Sequence, residues 1–255
     1  MQSYDLSRLR RGLKPFRLHW FPRLRSTNDH AAVLRRRGEL FAPAVVLAGR
    51  QTAGRGRGQN VWWSGPGCLT VTFALPIDEQ ILPHQLPLIA GLAVRSAAAE
   101  LAGNDNVLLK WPNDLLYEER KLGGLLCERV LRADLVGIGL NLNADLRTAP
   151  AAIRRRMATL AAIAGRSIDA TDALLRIAAR LRETMLRGAN RPFAALLAEY
   201  DAHHALVGRQ VSVLDGPDAQ VVSGRCKGLD SVGRLLLTDG RKVHRIISGQ
   251  VILRP

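Results

Sequence analysis

Apolar residues recur along most of the chain at two spacings, one typical of strands and one typical of helices. Residues 85–101 have helical spacing, because Leu86, Ile89 and Ala93 fall on one face, and Pro87 suits a first turn. The small side chains of that face suit packing against a sheet. Strands are predicted from short apolar or alternating runs at 16–24, 44–48, 69–75, 107–110, 115–117, 121–132 and 135–143.

Polar and glycine residues mark the predicted ends of further helices. The polar run Ser26-Thr27-Asn28-Asp29 precedes an apolar helical segment and is predicted to contain its N-cap. A later helix over 171–186 has Thr171 as its expected N-cap and Gly188 as its expected C-cap. The pattern also predicts helices at 151–164 and 192–203.

The spacing of apolar residues changes after Gly208. Asp239-Gly240 between two apolar runs is a strong signal for a hairpin. Five short strands in so small a region predict a small barrel, with a boundary near residues 204–208. The predicted strands lie at 211–214, 220–227, 234–238, 241–246 and 251–253, and a turn is predicted at Asp215–Pro217.

Composition narrows the class of protein. The chain has 255 residues, nearly half of them apolar, which allows one large domain or a large domain with a small one. No apolar run is long enough for a membrane span and no signal core begins the chain, so we expect a cytoplasmic protein. Three scattered cysteines predict neither disulfides nor a zinc site. The net charge of +15 is spread along the chain and is weak evidence for nucleic-acid binding.

The segment Gly49–Trp63 has the most distinctive composition. It alternates glycine and arginine through Gly54-Arg55-Gly56-Arg57-Gly58 and is followed by Trp62 and Trp63. Glycine permits close backbone approach and arginine presents a planar fork of donors, a combination suited to a cationic lid over an anion. A solvated loop or a patch that holds single-stranded nucleic acid would have the same composition. The spacing fits neither a Rossmann fingerprint nor a Walker loop.

Glycines also interrupt two later strands, in Lys121-Leu-Gly-Gly124 and Gly137-Ile-Gly-Leu-Asn141. Such glycines mark a bulge or a close approach by a ligand or backbone. Together with the lid, they predict a sheet that receives a flat, long ligand.

Taken in order, these blocks resemble one family, the biotin protein ligases, also called biotin–[acetyl-CoA-carboxylase] ligases. Ser26-Thr27-Asn28, Gln51 to Arg57 and Lys110-Trp-Pro-Asn-Asp114 precede the two glycine blocks, and a small β region follows. The resemblance runs from about Phe16 to the C-terminus. It implies an α+β fold, with a mixed sheet flanked by helices over 1–205, related to class II aminoacyl-tRNA synthetases, and an SH3-like barrel over 206–255.

The resemblance also implies a two-step reaction. The carboxylate of biotin attacks the α-phosphate of ATP, accompanied by Mg²⁺, to give biotinyl-5′-AMP and pyrophosphate. A lysine of a biotin carrier domain, such as that of acetyl-CoA carboxylase, then takes the biotinyl group and AMP leaves. Negative charge builds up with little covalent help from protein, so positioned cations are needed.

Residue roles follow from the same resemblance. Lys121 and Arg57 are implied to be catalytic, Lys121 between the biotin carboxylate and the α-phosphate. Arg55, Gly56 and Arg57 are expected to close over the adenylate and exclude water. The expected biotin contacts are Ser26, Thr27, Asn28 and Gln51, with Trp62 stacking on adenine and Asn113, Asp114 and Asn141 holding nucleotide or metal. The metal ligands themselves are not predicted.

Two departures from the family pattern and two alternative functions remain. Gly58-Gln59-Asn60 stands where the family commonly has a further lid arginine, which predicts a leakier adenylate. Fewer than twenty residues precede the first predicted strand, so we expect a ligase without a DNA-binding domain. Family members often pair as dimers, which is open here. A lipoate–protein ligase is the nearest alternative, a basic nucleic-acid-binding protein is a different class, and retention of Lys121, Arg55 and Arg57 argues against an inactive relative.

Overall fold

A computed structural model describes residues 3–214 and 221–253. A larger sheet contains strands β1 (Arg17–Phe21), β2 (Ala44–Ala48), β5 (Leu69–Pro76), β6 (Leu108–Lys110), β7 (Asp114–Tyr117), β8 (Arg120–Val130) and β9 (Ala133–Leu140), and a short hairpin contains β3 (Gly54–Arg55) and β4 (Val61–Trp62). The α-helices are α1 (Leu6–Gly12), α2 (Thr27–Arg36), α3 (Leu86–Ala102), α4 (Ala151–Arg154), α5 (Leu160–Ala164), α6 (Ala170–Asn190) and α7 (Leu197–Ala202). The predicted strands and the long α3 are therefore present.

The larger sheet is mixed and has the order β1-β2-β5-β9-β8-β7-β6. Only the β1–β2 pair in it is parallel among the described strands. Because side chains alternate along a strand, the two faces of β5 and β9 differ. Leu69, Val71 and Phe73 of β5 enter the main apolar cluster, as do Val136, Ile138 and Leu140 of β9.

Helix α3 packs on the apolar face, and α6 packs against α3. The ring of Phe73, fully buried, meets that of Phe16 at 5.3 Å in an edge-to-face arrangement. Burying one such side chain contributes about 2–3 kcal/mol. Part of the opposite face is covered by α2, whose Ala31 and Ala32 pack in a second cluster with β2 and β9. The part of this face that α2 leaves uncovered contains Thr72, Gly137 and Gly139, and we call it the cavity face.

The second sheet follows residue 208 and is antiparallel, in the order β13-β12-β11-β10-β14. Its strands are β10 (Gln210–Leu214), β11 (Val221–Leu229), β12 (Leu235–Thr238), β13 (Val243–Ile246) and β14 (Gln250–Leu253). The predicted Asp239-Gly240 hairpin is confirmed, since β12 pairs with β13 and Gly240 has φ of 91°. The predicted turn at Asp215–Pro217 lies outside the described residues.

Both sheets contribute to one apolar cluster. Leu235 and Leu237 of the second sheet belong to the same cluster as Leu88 of α3 and Leu109 of β6. The segment that leads to the second sheet is bonded to β6, because Leu109 N donates to His203 O at 2.8 Å and Ala205 N donates to Leu109 O at 2.8 Å. The domain boundary at residue 205 stays a prediction within this continuous core.

Some predicted helices differ from those observed. The helix expected over 151–164 is two short helices, because Arg156 O and Ala158 N bond to the main chain of Lys121 at 2.7 and 2.9 Å. The N-cap of α6 is Asp169, since the hydroxyl of Thr171 accepts Asp5 N at 3.0 Å. Gly188 lies within α6 and not at its end. The helix expected over 192–203 begins as a 3-10 turn, Phe193–Leu196, before α7.

Candidate active site

A cavity of about 1040 Å³ opens on the cavity face of the larger sheet. Its walls are the start of α2, the β3–β4 hairpin, the β6–β8 region and residues 248–251 of the second sheet. Every predicted site residue lines it, although these residues come from distant parts of the chain: Ser26, Thr27, Asn28, Gln51, Arg55, Gly56, Arg57, Trp62, Asn113, Asp114, Lys121 and Asn141. The individual roles of these residues stay predictions.

One end of the cavity is made of buried, uncharged polar side chains, and we call Thr27, Asn28, Gln51 and Thr72 the neutral end. The N-cap predicted within residues 26–29 is Ser26, whose hydroxyl accepts Asp29 N at 3.3 Å, and this places Thr27 and Asn28 in the first turn of α2. The Gln51 Oε1 accepts both Thr27 N at 2.7 Å and Thr27 Oγ1 at 2.9 Å. The Thr72 Oγ1 lies 2.8 Å from Thr27 Oγ1 and 2.6 Å from Asn28 Oδ1. These bonds fix the side-chain orientations of the neutral end.

The amide of Asn28 is held from both sides. Its Nδ2 donates to Leu126 O at 3.0 Å and to Glu128 Oε2 at 2.8 Å, while Thr72 Oγ1 donates to its Oδ1. An amide oxygen has two lone pairs, so Asn28 Oδ1 retains an acceptor position.

Two glycines of β9 leave space for side chains that pack directly on this strand. A Cβ on Gly137 would collide with the Asn28 carboxamide, and a Cβ on Gly139 would collide with the Trp62 indole. The predicted glycine-bearing sheet surface is therefore a close-approach surface, where side chains from α2 and the hairpin lie directly on the backbone.

The Gly-Arg segment forms a short hairpin over the cavity, with β3 paired to β4. Its turn is closed by Asn60, whose carbonyl accepts Gly56 N at 2.7 Å and whose Nδ2 donates to Arg57 O at 2.9 Å. Gly58 in that turn has φ of 59°. Asn60, at the departure from the family pattern, thus shapes the turn that carries Arg57.

The two lid arginines bind opposite walls. Arg55 Nη2 lies 2.7 Å from Asp29 Oδ1 and 2.9 and 2.8 Å from the oxygens of Glu128. Burial of the guanidinium opposes its charge, but bonds to Glu128 and Asp29 outweigh burial and raise the pKa of Arg55. Arg57 Nη1 instead donates to Gly249 O, in the connection between β13 and β14, at 3.0 Å. The hairpin therefore spans the cavity.

The other end of the cavity carries charge, and we call Arg57, Lys110, Asp114 and Lys121 the charged end. Lys121 Nζ lies 2.6 Å from Asp114 Oδ1 and 5.8 Å from the centre of the Trp62 ring. Asp114 lies opposite Lys110 in the register of the β6–β7 strand pair. Burial of the ammonium group is the main cause that lowers the pKa of Lys110, and the positive charges of Lys121 and Arg209 add to it. The negative charge of Asp114 opposes this shift.

Asn113 and Asn141, both predicted to hold nucleotide or metal, donate hydrogen bonds to main-chain carbonyls. Asn113 Nδ2 donates to Leu125 O at 2.7 Å, and Asn141 Nδ2 donates to Lys121 O and Ala158 O, both at 3.1 Å. Their side-chain amide groups thus fix strands β7 and β8 against their neighbours. Both still line the cavity.

Three residues of the site lay outside the sequence-based expectations. Thr72 belongs to the neutral end, Lys110 lines the cavity, and Glu128 binds both Asn28 and Arg55. The alternation of β5 places Thr72 on the face opposite Phe73, which is a usable signal once the strand is predicted. Glu128 carries no comparable signal, because its partners lie on distant segments.

Within residues 3–214 and 221–253, no group of three or more histidine, cysteine, aspartate or glutamate side chains has the placement of a metal site. The same part of the chain contains no helix with the length and hydrophobicity needed to cross a bilayer.

Sequence and structure comparisons identify the relatives of this chain. The profile described as the "Biotin/lipoate A/B protein ligase family" matches residues 20–145, and that of the "Biotin protein ligase C terminal domain" matches 206–254. The structure of biotin protein ligase from Aquifex aeolicus in complex with biotin and ATP aligns with a TM-score of 0.83 and 30% identity. That alignment covers 93% of this chain and 98% of the Aquifex chain.

Curated relatives agree with these matches. The biotin–[acetyl-CoA-carboxylase] ligase of Mycobacterium tuberculosis is 29% identical over 89% of this chain and 85% of its own. Biotin–protein ligase 2 of Arabidopsis thaliana is 33% identical over 56% of this chain, and the alignment spans only 46% of the plant protein. The profiles, and the Aquifex alignment over both sheets, show that this chain belongs to the biotin protein ligase family.

Proposed function

We propose that the protein activates biotin with ATP and transfers it to a lysine of a biotin carrier domain. The observation that carries the proposal is a single cavity with a neutral hydrogen-bonding end and a cationic end, spanned by one arginine-bearing hairpin. Biotin has the matching polarity, with an uncharged urea at one end and a carboxylate at the other. The Aquifex relative in complex with biotin and ATP supports both ligands.

The neutral end suits the urea. A ureido ring offers N–H donors and a carbonyl acceptor, and Asn28 Oδ1 and Gln51 Nε2 are groups of complementary type. Since Thr72, Thr27 and Gln51 are already joined by hydrogen bonds, little reorganisation accompanies binding.

The charged end suits the first step of the reaction, in which biotin is joined to the α-phosphate of ATP. The carboxylate oxygen of biotin forms a bond to the α-phosphorus, the bond from that phosphorus to the bridging oxygen breaks, and pyrophosphate leaves with the electron pair. Two anions approach each other in this step, so a cation between them lowers its barrier. Lys121 is the residue that would supply it, by exchanging Asp114 for the reacting oxygens, with Arg57 in the lid above.

Mg²⁺ is part of the proposal as the companion of ATP. It keeps most of its waters and binds phosphates with one or two carboxylates, a requirement that Asp114 in the cavity wall meets. When bound, the ion offsets phosphate charge.

The second step needs access for a carrier lysine. Its uncharged amine attacks the acyl carbon of the adenylate, AMP leaves from that carbon, and the amine proton passes to solvent. The relative named biotin–[acetyl-CoA-carboxylase] ligase indicates the type of acceptor. A cytoplasmic location also belongs to the proposal and agrees with the three free cysteines.

The test is pyrophosphate release from ATP and Mg²⁺ in the presence of biotin, lipoate or neither acid. Biotin-dependent release, followed by biotin transfer to a purified carrier domain, is the expected result. Release that depends on lipoate would keep the mechanism and change the acid. No pyrophosphate release with either acid, together with steeply salt-dependent binding to single-stranded DNA or RNA, would favour the nucleic-acid-binding alternative.

A further inference from the structure

Glu128 lies next to the cavity without lining it. It shares the cavity face of β8 with Leu126 and lies beyond the neutral end, with its side chain 31% exposed. Its carboxylate is a shared acceptor, because Oε2 receives Asn28 Nδ2 at 2.8 Å and both oxygens receive Arg55 Nη2. One side chain therefore contacts a residue of the neutral end and a residue of the lid.

These contacts determine how Asn28 faces the cavity. An asparagine amide has two orientations that exchange its oxygen and nitrogen. A carboxylate accepts hydrogen bonds and donates none, so Glu128, together with the carbonyl of Leu126, favours the orientation with Nδ2 towards these acceptors and Oδ1 towards Thr72. The acceptor of the neutral end is thereby turned towards the cavity.

The same carboxylate anchors the lid. Arg55 is the first arginine of the β3–β4 hairpin, and its guanidinium bonds to Glu128 and to Asp29 of α2. Exposed ion pairs stabilise folded proteins by only about 0–1 kcal/mol. The contribution of this pair therefore lies in orientation more than in stability.

We infer that Glu128 is a positioning residue for biotin, which orients the Asn28 amide and anchors Arg55 so that the neutral end and the lid are held in one arrangement. The inference rests on the proposed function, since it concerns the acid that the neutral end binds. It concerns a side chain that does not touch the ligand.

The test measures biotin affinity directly, by calorimetry without ATP, and then KM for biotin and for ATP in pyrophosphate release. Glu128→Ala removes both contacts and is expected to weaken biotin binding about tenfold, the range for a lost hydrogen bond to a charged group. Glu128→Gln keeps one acceptor oxygen, so its effect is expected to be smaller. KM for ATP should rise less than KM for biotin, because Glu128 bonds to Asn28 and Arg55 and to no residue of the charged end.

A double-mutant cycle with Arg55→Ala tests whether Glu128 acts through Arg55. If Glu128 acts partly by anchoring Arg55, the effects of Glu128→Ala and Arg55→Ala on biotin affinity are less than additive. Fully additive effects would overturn the lid half of the inference.

Glu100→Ala is the matched control. Glu100 is also a glutamate, 33% exposed, and its carboxylate pairs with two arginines, Arg176 and Arg180, on helices away from the cavity. Its replacement should leave biotin affinity unchanged and alter thermal stability about as much as Glu128→Ala does.

The outcomes separate the two proposals. Failure of the wild-type protein to bind biotin overturns the proposed function. Wild-type binding with unchanged affinity in Glu128→Ala overturns the positioning role alone. Equal rises in KM for biotin and ATP, with a lower Tm than the Glu100→Ala variant, indicate a purely structural role and also overturn it.

Discussion

The two ends of the cavity are built by different means. At the neutral end, Thr72 is fully buried, Asn28 is 3% exposed, and their polar atoms bond to one another, to Thr27, to the backbone and to the carboxylate of Glu128. At the charged end, Lys121 and Asp114 form an ion pair whose side chains are 40% and 21% exposed. A neutral ligand group is recognised by fixed dipoles, whereas a charged reaction needs cations that stay hydrated until the substrates arrive.

Desolvation explains the difference. A buried neutral network costs little once each group is bonded, but a buried, unpaired ammonium costs several kcal/mol. Lys121 of the charged end therefore stays near water and has an acidic partner, Asp114. Four predictions test this contrast.

Lys121→Ala has the largest expected effect. Loss of a cation at the site of developing charge should lower the rate of biotin-dependent pyrophosphate release about 1000-fold. Biotin affinity without ATP should change far less, because the neutral end is intact. Lys227→Ala, at an exposed lysine of β11, is the control and should keep the wild-type rate. Comparable losses in rate and in biotin affinity would contradict the separation of the two ends.

Gly137→Ala should act at the neutral end. The new Cβ collides with the Asn28 carboxamide, and overpacking of this kind costs about 2 kcal/mol, or roughly thirtyfold in biotin Kd. Calorimetry with biotin measures the change. Gly91→Ala in α3 is the control, since its Cβ would meet only the end of Leu109 at 3.3 Å. Unchanged biotin affinity in Gly137→Ala would show that Asn28 is free to move away.

Thr72→Val removes one hydroxyl with little change of shape. We expect biotin Kd to rise about fivefold, as for one neutral hydrogen bond in a buried network. Thr70→Val is a close control, because Thr70 is buried two residues away on the same strand but donates to Ala48 O at 3.3 Å. Similar changes in Kd for the two variants would mean that general destabilisation, and not the network, causes them.

Lys110→Met has the smallest expected effect and concerns stability. Because the pKa of Lys110 is lowered in the folded protein, the unfolded chain binds more protons between the folded value and the ordinary value of 10.5. The cost of charged Lys110 is thus greatest below the folded pKa and fades as pH rises towards 10.5. We expect a higher Tm for Lys110→Met near neutral pH and a gap from wild type that narrows at alkaline pH. A gap independent of pH would contradict this.

The sequence predicted the site better than it predicted the connections within it. The ordered blocks from Ser26 to Asn141 identified residues that line one cavity, because local composition reflects ligand chemistry. The interrupted helix at 151–164 was missed, since the main chain of Lys121, far away in sequence, competes for its backbone groups. Glu128 was missed for a related reason, as both of its partners come from other segments.

A local sequence signal also fails to predict the structure where it fits two arrangements equally well. Thr171 has the composition of an N-cap, yet Asp169 caps α6 because Thr171 is occupied by the N-terminal segment. The direction of Arg55, towards Asp29 and Glu128, depends on how α2 and β8 pack. Such choices are decided by tertiary contacts, which residue spacing does not contain.

The main-chain clamp on Lys121 has a kinetic consequence. Its N–H and carbonyl are both bonded to the 156–158 segment, while its ammonium is half exposed beside Asp114. The base of the side chain is therefore fixed and only rotations about its side-chain bonds move the charge. Rotations of exposed side chains take picoseconds to nanoseconds, whereas lid movements take microseconds or longer. The Lys121 ammonium can therefore move from Asp114 to a substrate without any backbone motion. Opening of the lid is then the slower conformational step.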